Sequence, residues 1–138
     1  MRRRLWRAGL LLAVPVLGLA LAGCGGSNER AAGASTAAAG FERALEEGDL
    51  KAACAALAPN TRSELEESEK KACHVGLTAE ELPVGGPVGT VDVYGNQARV
   101  VLKSDTLFLS QFPDGWKVVA AGCTPEPGRP YQCAVKGG

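Results

Sequence analysis

The chain has 138 residues, with 15 basic and 15 acidic side chains, one histidine and five cysteines. That length suits one small domain behind a leader, and a formal net charge of zero with no basic stripe argues against a nucleic-acid partner. The balance hides an asymmetry: residues 1–23 hold four arginines and no acid, so the remainder carries 11 basic against 15 acidic side chains, a net charge of −4.

The N-terminus has the order of a secretory signal. Arg2, Arg3, Arg4 and Arg7 supply the charge, and residues 8–20 are uncharged and rich in Leu, Val and Ala. This apolar run is shorter than the roughly 20 residues a spanning helix needs. It ends in Leu21-Ala22-Gly23-Cys24, which resembles the lipobox of bacterial lipoproteins. The resemblance implies cleavage after Gly23, a diacylglyceryl thioether on Cys24 and often an acyl chain, such as palmitate, on the new amino group. Two or more chains hold a protein stably on a bilayer, whereas one does so only marginally. The expected organisation is a signal peptide at 1–23, a tether at 24–38 and a folded domain at 39–138. The expected location is the cell membrane, lipid-anchored, on its extracytoplasmic side. The competing readings are an uncleaved N-terminal anchor and an ordinary secretory signal.

Residues 25–38 are rich in Gly, Ala and Ser without an apolar period, which predicts a flexible tether. Phe41, Ala44 and Leu45 then follow helical spacing, and Gly48 suits the helix end. Asp49 is placed to cap a second helix that buries Leu50, Ala53, Cys54 and Leu57, with Pro59 beyond its end. Thr61-Arg62-Ser63-Glu64 has the spacing of a capping box opening a third helix. That helix is expected to carry Leu65, Ala72 and Cys73, with the charged run from Glu64 to Lys71 mostly in solvent. Pro83 to Gly89 reads as a turn-rich break. Four strands are expected after it: Thr90–Tyr94, a second through Ala98, Val100 and Leu102, Leu107–Phe112, and Trp116–Ala121. Gly95-Asn96 and Pro113-Asp114-Gly115 are turns, and turns this short demand antiparallel pairing. Helices followed by a meander give an α+β domain with helices packed on one face of a sheet. The tail from Cys123 to Cys133, with Pro125, Pro127, Gly128 and Pro130, is expected to be irregular.

With Cys24 set aside for lipid, Cys54, Cys73, Cys123 and Cys133 remain, an even number that in an exported chain implies two disulfides. Three connectivities exist. Local pairing favours Cys54–Cys73 and Cys123–Cys133. A zinc site is disfavoured because no C-x-x-C spacing occurs and the lone His74 adjoins Cys73. No metal or other cofactor is expected.

Phe41, Ala44, Leu45, Gly48 and Asp49, together with the late Asp114-Gly115-Trp116-Lys117-Val118, resemble NTF2-like (cystatin-like) lipoproteins of actinobacteria. The resemblance spans about residues 38–122. It implies a curved sheet wrapped on a helix, leaving a cone-shaped cavity. Enzymes of that superfamily place an acid, often with Tyr or His, inside the cone, and no such set can be matched here residue by residue.

Candidate chemistry is sparse. His74 invites a general-base role, but it has no placed partner and a lone helical His is usually structural. Asp92 and Tyr94 share a strand face, with Arg99 across the hairpin, which suggests a polar cluster at the cone mouth or a solvated strand face. Asp105 sits at a turn, where Asp favours local bonding. Trp116 and Phe108 are candidates to line an apolar pocket or to fill the core. No catalytic residue is assigned. The function expected is a lipid-anchored binding module for a small apolar ligand or an envelope protein partner. The alternatives are a small NTF2-like enzyme with an acid–base site in the cone, and a purely structural accessory lipoprotein.

Overall fold

A computed structural model describes residues 26–137, so the signal peptide and Cys24 lie outside the described residues. Four helices come first: α1 (Gly26–Glu46), α2 (Leu50–Ala56), α3 (Pro59–Glu69) and α4 (Cys73–Ala79). Five strands follow: β1 (Val88–Tyr94), β2 (Gln97–Leu102), β3 (Thr106–Phe112), β4 (Gly115–Glu126) and β5 (Arg129–Lys136). They form one antiparallel sheet in the order β1-β2-β3-β4-β5, a meander in which every connection is local. The fold is α+β, as the element order predicts.

The expected tether is helix instead. α1 begins at Gly26, and Ala34 and Ala38 are fully buried with Phe41 and, further on, Ala44. Alanine has the highest helix propensity, and these positions recur at helical spacing on one face. The absence of large apolar residues in 26–38 hides an amphipathic face built from small ones. Smallness is what the packing needs: a Cβ on Gly33 would lie 3.0 Å from the Trp116 indole. α1 ends where Gly48 takes a positive φ of 69°, and the Asp49 amide donates back to Ala44 O at 2.8 Å. Only glycine enters that backbone region without steric cost.

Asp49 caps α2, its Oδ1 accepting from the Ala52 amide at 3.0 Å, as expected. The capping box does not form. α3 starts three residues earlier, with Pro59 in its first turn and Ala58 in place of Thr61 as N-cap, since proline is pre-set for the first helical position. Thr61 is buried instead, and its hydroxyl donates to Val119 O at 3.0 Å. The expected third helix also does not reach Cys73. Lys70 adopts a left-handed conformation that stops α3, and Cys73 opens α4. The Glu66 carboxylate accepts from the Cys73 amide at 3.2 Å, so a residue of the acidic run satisfies a donor at the next helix start.

Both expected disulfides are present. Cys54–Cys73 ties α2 to the start of α4, and Cys123–Cys133 joins directly opposed positions of β4 and β5. The tail is therefore not irregular. Pro127 lies in the tight turn at the hairpin tip, with Pro125 and Pro130 beside it where strands tolerate them, and Tyr131, Cys133 and Val135 alternate in register beyond it.

The core lies between α1 and one face of the sheet. Val100, Leu107, Leu109 and Val118 are 0–1% exposed there, with Val91, Val93 and Trp116 packed at the margin. The outer edge of the first part of β4 is covered by the α2–α3 junction: Leu57 bridges Val118, and the Ala58 amide donates to Val118 O. Among the described residues, no helix covers most of the face of β1–β3 turned away from α1, and this face presents the site described next.

Candidate functional site

Strand alternation fixes what the open face displays. Val91 and Val93 point to the core, so Asp92 and Tyr94 point away from it. The register sets two rows across the sheet. One runs Tyr94–Gln97–Ser110, the other Asp92–Arg99–Phe108. The Arg99 guanidinium makes two hydrogen bonds to Asp92 Oδ2, at 2.7 and 3.2 Å, from side chains that are both partly exposed. The hydrogen bond to Asp92 and then its charge raise the Arg99 pKa further, with a smaller contribution from Tyr131. Tyr131 reaches this face from β5 and meets Phe108 edge to face, ring centroids 5.0 Å apart, a favoured aromatic geometry.

Tyr94, Gln97, Arg99, Phe108, Ser110 and Tyr131 line a groove of about 280 Å³, with Ala98, Leu109 and Val119 as its floor. A second depression of about 370 Å³ shares Gln97, Ser110 and Val119 with it and continues toward Phe112 and the start of α3. The two form one track. The Gln97 carboxamide and the Ser110 hydroxyl, at its middle, make no side-chain hydrogen bond among the described residues. Tyr94 is 66% exposed and stands at the rim.

The structure thus brings together Asp92, Tyr94 and Arg99, and separates Trp116 from them. Trp116 faces Gln111 on the core side of the sheet and packs on Gly33 of α1. Trp116, weighed as a pocket or core residue, takes the core reading: it and Tyr94 point to opposite faces, and the space under α1 is filled by buried side chains. Phe108, weighed with Trp116 as a pocket residue, belongs to the open-face groove. Tyr131, Gln97 and Ser110 escaped sequence reasoning. The alternation of Tyr131, Cys133 and Val135 was the available signal, masked by the neighbouring prolines.

His74 is exposed in the first turn of α4. Asp105 does bond locally, accepting from the Thr106 amide at 2.7 Å, but it also accepts from Gly122 and Cys123 amides at 3.0 and 2.9 Å. It is a buried brace between the β2–β3 turn and β4. Among the described residues no three His, Cys, Asp or Glu side chains come together in a way that would hold a metal ion, and no helix is long and apolar enough to cross a membrane.

A second buried carboxylate went unnoticed in the sequence. Glu42 on α1 is 5% exposed; its Oε2 accepts from the Gly85 amide at 2.7 Å, and its Oε1 has no partner among the described residues. It follows Ala38 by one helical turn, which placed it on the buried face. Burial raises its pKa above the ordinary carboxylate value of 4.5; the Gly85 hydrogen bond opposes this, and the charges of Asp105 and Glu46 add to it. A raised folded-state pKa favours the protonated fold, so the stability Glu42 contributes is present in full below about pH 4.5 and lost as pH rises through the folded value. Glu42→Gln is therefore expected to flatten this part of the pH dependence and to raise the melting temperature at neutral pH. Thermal scans from about pH 4 to about pH 8 check this; parallel profiles for the two chains would refute the burial argument.

Comparison of the chain with models of protein families, with curated proteins and with solved structures finds no match.

Proposed function

We propose that this protein is a lipid-anchored, non-catalytic binding module of the cell envelope, held at the extracytoplasmic side by Cys24. What supports the anchor is the charged and apolar leader closing on Leu21-Ala22-Gly23-Cys24. What supports binding is one observation: an aromatic-walled track on an uncovered sheet face, with unengaged polar groups at its centre. Concave, mostly apolar surfaces with a few convergent polar groups are where ligands bind. The Arg99–Asp92 pair satisfies its own charges, which suits a binding surface better than acid–base chemistry needing a free proton acceptor. The order of helices followed by a meander supports an NTF2-like relationship, with the ligand on the outer sheet face rather than in a cone. A neighbouring envelope protein is the second reading, favoured by the exposed Tyr94 at the rim.

Cys24→Ala tests the anchor. The variant is expected to leave the membrane fraction, or to accumulate unprocessed, and to lose metabolic labelling with palmitate. Undiminished labelling and membrane retention would rule out lipidation at Cys24. Native mass spectrometry of the gently extracted full chain tests the binding reading, which predicts a bound adduct lost on Tyr94→Ala.

A further inference from the structure

We infer that the open-face track binds a linear, neutral glycan. This rests on the binding-module reading above and names its ligand class. Shape comes first. The two depressions share Gln97, Ser110 and Val119, so the track runs from Tyr94 and Tyr131 at one end to Asn60 and Phe112 at the other. An elongated ligand follows such a track, and a compact one leaves half of it empty.

Charge comes second. Arg99 is the charged side chain lining the track, and Asp92 neutralises it at 2.7 Å. Nothing there recruits a phosphate or an ammonium group, whereas a neutral chain meets a neutral surface.

Hydrogen bonding is the third argument, and it separates the ligand classes. Gln97 and Ser110 each donate and accept, and neither has a partner among the described residues. A purely apolar ligand would bury both without partners, which is costly. This replaces the small apolar ligand expected from sequence. An extended peptide most readily adds to a free sheet edge through its backbone. The track instead crosses β2 and β3, each hydrogen-bonded to strands on both sides. A sugar ring matches what is present. Its C–H face packs on aromatic rings, whose π faces are electronegative, and its hydroxyls both donate and accept at the rim. Tyr94, Phe108 and Tyr131 supply the rings at one end of the track, and Gln97 and Ser110 supply the polar groups next to them, at its middle.

The test is an NMR titration of the ¹⁵N-labelled full chain in detergent with four neutral hexasaccharides: maltohexaose, cellohexaose, hexa-N-acetylchitohexaose and mannohexaose. At least one is expected to shift the amides of Tyr94, Gln97, Arg99, Ser110 and Tyr131 in a saturable way. Tyr94→Ala and Gln97→Ala, both at exposed positions that leave the fold intact, are each expected to weaken that binding at least about tenfold. Palmitate and a neutral hexapeptide are run in parallel. A response at the track to palmitate or peptide but to no hexasaccharide overturns the glycan assignment and leaves the binding module standing. Silence of the track to every probe at about 10 mM overturns the glycan assignment. Glycan shifts confined to other surfaces, or undiminished by the two variants, overturn the site.

Discussion

Phe41→Ala is expected to destabilise the domain by about 3–5 kcal/mol, a large part of the about 5–15 kcal/mol that typically holds a folded domain. The ring is fully buried, and the other buried apolar residues of α1 are alanines at 34, 38 and 44. Small neighbours have no side chain to swing into the space, so the site collapses poorly and the cavity cost adds to the lost transfer energy. α1 is the element that covers the sheet, contacting β1, β2, β3 and β4, so its partial release is expected to lower the melting temperature and the urea midpoint together. Urea denaturation with the slope compared between variants is the measurement. A loss below about 1 kcal/mol would mean that α1 is not docked as described.

Asp105→Ala is the second large effect. One buried carboxylate accepts from three backbone amides, those of Thr106, Gly122 and Cys123. Removing it strands donors that water cannot easily reach, and each unsatisfied buried donor costs about 1–3 kcal/mol. The total expected is about 3–5 kcal/mol, the range seen when a buried charged partner is removed. Asp105→Asn is expected to fall between the two, because its carbonyl can still serve the Thr106 and Cys123 amides now bonded to Oδ1. Native-state hydrogen exchange gives the discriminating readout: Gly122 and Cys123 amides lose protection in the Ala variant, while those of β1 change little. Equal loss of protection throughout the sheet would show that Asp105 acts on global stability and not as a local brace.

Much of the architecture was legible because its signals are local. Asp49 capping α2, the turns at Gly95-Asn96 and Pro113-Asp114-Gly115, and the alternation in β1 to β4 each depend on residues a few positions apart. The pairing of Asp92 with Arg99 followed from hairpin register alone. The errors share a cause. The segment 26–38 reads as a linker because alanine and glycine carry little hydrophobic signal, yet Ala34 and Ala38 form the buried face of α1 and Gly33 is what lets it approach the indole of Trp116. Thr61 fits a capping box by spacing, but Pro59 starts the helix earlier and Val119 O takes the hydroxyl. The prolines around Gly128 suggest an irregular tail, whereas at a hairpin tip they leave the flanking ladder pairs intact.

By itself, the sequence determined the fold class, helices followed by an antiparallel meander, and favoured the two local disulfides, because periodicity, caps and turn chemistry act over short range and an even set of local cysteines pairs locally; it did not reveal the start of α1, α4 or β5. Only the tertiary structure decided which sheet face is open, that Trp116 and Tyr94 part company across it, that Tyr131 arrives from β5, and that Glu42 and Asp105 are buried. Those outcomes depend on how α1 lands on the sheet and on how β4 and β5 pair beyond the turn, contacts between residues far apart in the chain that no local pattern encodes.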